Sequence, residues 1–287
     1  QFSENSAKWK QFNGNYIAIL DFYNDKFRLP RFSQIDKAAG KLYSELEEEF
    51  QQTFLDYSLS ADLLVSATPE DLREAFRRIN SYTVPLNSEE KRHSIYQGAF
   101  KWFIYNLSKT YAQNLFNLGV FGEKQLIRMA DTKLYSEIIH AFLSGITRTD
   151  SRMLDRLYKD HEERFPEEKE ITERIEHAID FVLSIEDIHK GPLMRPYNFY
   201  SVILAISHTK KPVKSFLSLY ESKIPYVYNP NFVAANLTSL ADALENSEDS
   251  NNKFKEFVSA TLSYTHIKEN REKRFEWFCK ALEPNLL

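Results

Sequence analysis

Apolar and polar positions recur with a helical period over most of this chain. In "TPEDLREAFRRIN", Leu72, Phe76 and Ile79 fall at i, i+4 and i+7 and make one apolar face. Arg73, Arg77 and Asn80 follow the same spacing on another face. Thr68 is placed as the N-cap, and Pro69 sits at the first helical position, where its missing N–H costs nothing. Glu70 and Asp71 suit the positive end of the helix dipole, and Pro85 prevents simple continuation. A second helix opens at "NSEEKRHSIYQGAFKWFIYNL", where Asn87 and Glu90 have capping-box spacing and the later half is aromatic. "DTKLYSEIIHAFLSG" is amphipathic, with Gly145 as its stop. "PEEKEITERIEHAIDFVLSI" turns Ile171, Ile175, Ala178, Ile179 and Val182 inward. "NFYSVILAIS", "VKSFLSLYES" and "NFVAANLTSLADALEN" continue the helical count, "NSEDSNN" is a polar loop, and "KFKEFVSATLSYTHIKENREKRFEWFCKAL" is a last long helical segment.

The first 65 residues read differently. "AILDFYNDKFRLP" predicts a short helix ending near Asn24, then an extended piece stopped by Pro30. "YSLSADLLVSA" alternates as a strand does. The pattern therefore predicts a mainly α chain, with a small α/β portion over 1–88 and a helical domain over 89–287.

Composition supports a folded, helix-rich protein. Of 287 residues, 43% are apolar, with 22 Phe and 16 Tyr, which is ample for a core, and only 7 are Gly. The formal net charge of −4 does not drive the chain onto DNA or anionic membranes, so nucleic-acid contact would need a local basic patch. The single cysteine, Cys279, excludes an intramolecular disulfide and a cysteine-rich zinc site, and fits a reducing cytosol. The longest apolar run, over 199–206, is too short for a bilayer, and no secretory signal is visible, so a soluble cytoplasmic protein without membrane contact is expected. The sequons at Asn106 and Asn236 then carry no meaning.

Few motifs point to chemistry. There is no P-loop and no G-x-G-x-x-G. "HEERF" at His161 lacks the second histidine of a zinc-protease helix, the other histidines are scattered, and no metal site is expected. The acidic stretch over 160–176 is interleaved with Arg164, Lys169 and Arg174, as on a solvated helix face. The densest polar group is Arg77, Arg78, Asn80, Lys91 and Arg92, near a helix junction. Arginines grip phosphate oxygens bidentately, and an asparagine reads a base edge or holds a backbone. Spacing also allows Glu74–Arg78 pairing, with Asn80 ending the helix. Arg271 and Arg274, one turn apart, face either a phosphate or an acidic neighbour.

"FRRINSYTVPLNSEEKR" resembles a signature of the GmrSD-type restriction family, in which a ParB/sulfiredoxin-like N-terminal domain precedes a helical domain. The matching positions are Phe76, Arg78, Ile79, Asn80, Val84, Pro85, Leu86, Asn87, Glu90 and Arg92. "YQGAF" at Tyr96 is similar to the next block; "LIRMADTKLYSEIIHAFLSG" to the one after, through Arg128, Met129 and Asp131; and "SATLSYTHIKENREKRFEWF" to the closing helix, through Arg271 and Arg274. The family's Asp-Gly-Gln-Gln-Arg run is replaced here by "FNGNYIAIL", and there is no His-Asn-His nuclease module. The resemblance implies a prokaryotic anti-phage protein acting on foreign or modified DNA. In the intact protein, DNA nicking or cleavage would be coupled to a nucleoside triphosphate with a divalent metal. A nuclease partner or a second copy of the chain would complete it. Arg78, Asn80 and Arg92 become nucleotide- or DNA-facing candidates, joined by Arg271 and Arg274, while Arg77 rests on helical geometry alone. A non-catalytic helical scaffold, holding a partner or sensing the target, is the competing expectation.

Overall fold

The structure, a computed structural model, describes residues 23–26, 38, 40–56, 68, 70–71, 73–74, 85–148, 150–221, 230–247 and 253–283. The chain divides into two compact units, Gln1–Phe76 and Arg77–Leu287. Among the described residues there are eleven bounded α-helices and no strand. The stretch expected as a strand, "YSLSADLLVSA", and the apolar face of Leu72, Phe76 and Ile79 lie outside the described residues.

In the first unit, α1 (Glu48–Asp56) packs Phe50 and Phe54 against Tyr43, Ala38 and Leu46. Gln51 Nε2 donates to the carbonyls of Tyr43 and Leu46, both at 3.1 Å, which closes the turn onto the helix. Thr68 Oγ1 accepts from the Asp71 N–H at 3.2 Å while Asp71 Oδ2 accepts from the Thr68 N–H at 2.8 Å, so Thr68 is the N-cap its sequence position implied.

The second unit is built around one buried helix. Its elements are α2 (Ser88–Ile95), α3 (Ala99–Leu118), α4 (Glu123–Ile127), α5 (Ala130–Ser144), α6 (Ser151–Asp160), α7 (Glu168–Leu183), α8 (Pro196–Lys210), α9 (Pro230–Glu245), α10 (Lys255–Leu262) and α11 (Lys268–Ala281). Helix α8 carries the apolar run over 202–206 and is buried from Asn198 to Thr209. It packs on α5, α7 and α11. The expected stripe of α7, Ile171, Ile175, Ala178, Ile179 and Val182, is fully buried against this core. Each Ile or Val among them contributes roughly 1.5–3 kcal/mol. Gly145 ends α5 at φ 89°, with its N–H on the Ala141 carbonyl, so a residue without Cβ is required there.

Two helical expectations change. "VKSFLSLYES" forms a 3₁₀ turn over Lys214–Phe216 followed by further turns, not an α-helix. His208 holds it: Nδ1 accepts from the Val213 N–H at 2.9 Å and Nε2 lies 2.9 Å from the Tyr220 carbonyl, so the segment folds back while Phe216 is buried. The last long segment breaks into α10 and α11 at Tyr264, which has φ 47°. Asn270 Nδ2 takes the freed Ser263 carbonyl at 2.8 Å, and Arg274 takes those of Ala260 and Thr265.

The join from α2 to α3 rests on Gly98. Beside it the Ala99 N–H reaches the Glu162 carbonyl at 2.8 Å, and a Cβ on Gly98 would lie 2.1 Å from that oxygen. Only glycine permits so close a backbone approach. Phe100, Tyr158 and Phe165 then pack edge to face across the junction.

Candidate functional site

A cleft of about 420 Å³ opens between α2, α4, α5 and α6. The N-terminal residues of three helices line it: Asn87–Glu89 of α2, Ala130 of α5, and Asp150 and Ser151 of α6. Helix N-termini carry partial positive charge, so their convergence favours an anion; at α6 the Asp150 carboxylate already takes the Met153 N–H at 2.9 Å.

The first wall is a polar ring. Asn87 Oδ1 accepts from the N–H groups of Glu89 and Glu90, each at 2.9 Å, and Glu90 Oε2 accepts from the Asn87 N–H at 2.8 Å. Asn87 Nδ2 donates to the Arg128 carbonyl at 2.7 Å. Arg128 returns Nε to Glu90 at 3.0 Å and Nη2 to the Pro85 carbonyl at 2.9 Å. The cap of α2 is therefore also the latch that docks the turn before α5.

Arg92 forms the second wall and is 2% exposed. Its Nη1 pairs with Glu89, its Nε with Asp155 at 2.7 Å, and its Nη2 with the hydroxyl of Ser151 at 2.7 Å and the carbonyl of Ser151 at 3.1 Å. Burial alone would depress the guanidinium pKa, but Glu89 and Asp155 outweigh it and hold the pKa above its ordinary value. Glu89 is 6% exposed, and burial raises its carboxyl pKa despite Arg92. Its Oε2 is buried without a hydrogen-bond partner.

This raised pKa has a testable sign. The folded state holds the Glu89 proton to higher pH than the unfolded chain does. The associated stability is thus present at acid pH and is lost as pH rises through the folded-state value. Urea unfolding across the acid range is expected to show wild type losing stability relative to Glu89→Gln as pH increases. The opposite slope would mean that Arg92 depresses the carboxyl instead.

Glu137 closes the third side. It pairs with Arg271 Nη2 and lies 3.9 Å from Lys133. Arg271 also donates to the Thr147 carbonyl at 3.0 Å and lies 4.3 Å from the centre of the Tyr200 ring. Two cations on the cleft remain uncommitted: Lys124 makes no ion pair among the described residues, and Lys133 makes only the loose one, with a side chain 58% exposed.

The sequence-derived candidates thus separate. Arg77, Arg78 and Asn80 lie outside the described residues. Arg92 is on the cleft, held by protein acceptors. Arg271 stands behind it, reaching it through Glu137. Arg274 is fully buried and does not line it; its guanidinium closes the end of α10 instead. Glu89, Lys124, Lys133 and Ser151 were not legible as site residues, since only the i,i+3 and i,i+4 spacings of Glu89–Arg92 and Lys133–Glu137 hint at any pairing. Among the described residues no group of three His, Cys, Asp or Glu is arranged to hold a metal ion, and no helix is long and apolar enough to cross a membrane.

No family model matches this chain, and no curated protein or solved structure does either.

Proposed function

We propose that this chain belongs to a prokaryotic restriction system of the GmrSD type acting on foreign or modified DNA, with a partial ParB-like portion preceding its helical domain. The cleft is the place where the helical unit takes a phosphate, either of the DNA backbone or of a nucleotide. One observation carries this reading. Three of the four blocks that resemble the family are far apart in sequence yet converge here: Asn87 and Arg92 from the first and Arg128 from the third line the cleft, Glu90 ties Asn87 to Arg128, and Arg271 from the closing helix stands behind Glu137. Three helix N-termini and the uncommitted Lys124 and Lys133 give that meeting point an electrostatic use. The reading extends to a nucleoside triphosphate with a divalent metal and to a nuclease partner or second copy. Among the described residues there is no group of three His, Cys, Asp or Glu placed to hold that metal.

Fluorescence anisotropy with labelled duplex DNA tests it. Lys124→Glu with Lys133→Glu is expected to weaken low-salt binding by roughly tenfold or more and to flatten the salt slope by about two. Both side chains are outside the core, so folding is retained. Unaltered affinity in the double variant, or no duplex binding by wild type, overturns the reading.

A second reading is favoured by where the arginines go. Arg92, Arg271 and Arg274 all bond to protein acceptors. A non-catalytic scaffold or target-sensing module that binds a partner protein would use them in this way. Nucleotide hydrolysis by the purified chain, lost on a point substitution in it, would exclude the scaffold.

A further inference from the structure

The outer face of α3 is unlike the rest of the surface. The helix has 20 residues, "AFKWFIYNLSKTYAQNLFNL", with two lysines and no acidic residue, in a chain whose Asp and Glu outnumber its Lys and Arg by 41 to 37. Trp102, Tyr105, Asn106 and Lys109 fall on one stripe at helical spacing and are exposed. Trp102 is 46% exposed and Tyr105 38%.

These rings are held in place. Trp102 Nε1 donates to the Gln97 carbonyl at 3.0 Å. The Lys101 ammonium, on a residue that is itself buried, sits 3.2 Å from the centre of the indole. Tyr105 meets the indole edge to face at 5.7 Å and has the His93 ring at 5.6 Å. An exposed tryptophan with a hydrogen bond, a cation and a second ring fixing it loses little freedom when something stacks on it.

We propose that this face of α3 is a stacking platform for single-stranded nucleic acid, with bases on Trp102 and Tyr105 and a phosphate on Lys109. Charge selects this occupant over a protein partner. The helix offers one exposed cation, Lys109, and amides beside its rings, and no carboxylate, which matches a polyanion with exposed π-faces. The platform uses none of the cleft residues, so it stands or falls separately from the duplex-directed reading.

The test is anisotropy with fluorescein-labelled oligo(dT) and oligo(U) at low salt. Trp102→Ala with Tyr105→Ala is expected to weaken binding roughly tenfold or more, and Trp102→Phe with Tyr105→Phe to retain most of it. Lys109→Glu is expected to weaken binding and reduce its salt dependence. Loss of oligo(dT) binding together with oligo(U) binding assigns the platform to either strand chemistry; loss of only one assigns it to that one. Duplex binding is expected to be unchanged in the alanine pair. Wild-type affinity in that pair, or no single-strand binding by the wild type, overturns the proposal. So does an alanine pair that abolishes self-association of the chain but leaves oligonucleotide binding intact.

Discussion

Arg92→Ala is expected to lower unfolding stability by about 3–5 kcal/mol, the cost of removing one partner from a buried ion pair. The guanidinium joins the first turn of α2 to α6, through Glu89, Asp155 and Ser151 at once. Without it, Glu89 is left buried beside Glu137 with its main counter-charge gone. Arg92→Lys keeps the charge but not the planar fork, and is expected to fall between alanine and wild type. Equilibrium urea unfolding gives the numbers. The same variants also discriminate roles: an Arg92 that only braces the fold changes stability far more than ligand affinity measured well below the unfolding transition. If Arg92→Ala were as stable as wild type, the wall of the cleft would not be built as described.

Arg274→Ala is expected to be almost as costly, at about 3 kcal/mol, for a different reason. Its charge has no carboxylate beside it among the described residues. Burial and the neighbouring Arg271 pull its pKa down to about 10, which opposes stability. Against that, Nη1 and Nη2 satisfy the Ala260 and Thr265 carbonyls at 2.5 and 2.6 Å, where the chain leaves α10 and turns into α11. Each buried acceptor left bare costs roughly 1–3 kcal/mol, and the vacated volume adds a cavity. Arg274→Met, which fills the space but bonds nothing, is expected to recover the cavity term only. Hydrogen exchange at the α10–α11 break should accelerate in both variants. Unchanged protection there would mean that the carbonyls find other donors.

What could be read from sequence was local. Asn87 as a cap, Gly145 as a stop and the stripe of α7 each depend on residues within a few positions. The cleft depends on distant ones. Arg92 finds Asp155 at a separation of 63 residues, and Arg271 finds Glu137 at 134. Whether an arginine faces a phosphate or a carboxylate is settled by such partners, and nothing in "EEKRH" or "ENREKR" encodes them. The same limit explains "VKSFLSLYES", whose composition suits a helix but whose path is set by His208 in the preceding element. The break at Tyr264 was hidden likewise, since the carbonyls it frees are bonded by Asn270 and Arg274 from the helix that follows.

The lone thiol of this protein has a practical consequence. Cys279 sits in α11 with no exposed surface, and burial holds its sulfur in the protonated, unreactive form. A thiol-specific dye added to the native protein must therefore wait for α11 to come away from its neighbours. The labelling rate becomes a clock for that opening, available in the unmodified chain, and a substitution that loosens the helix can be timed without any engineered reporter.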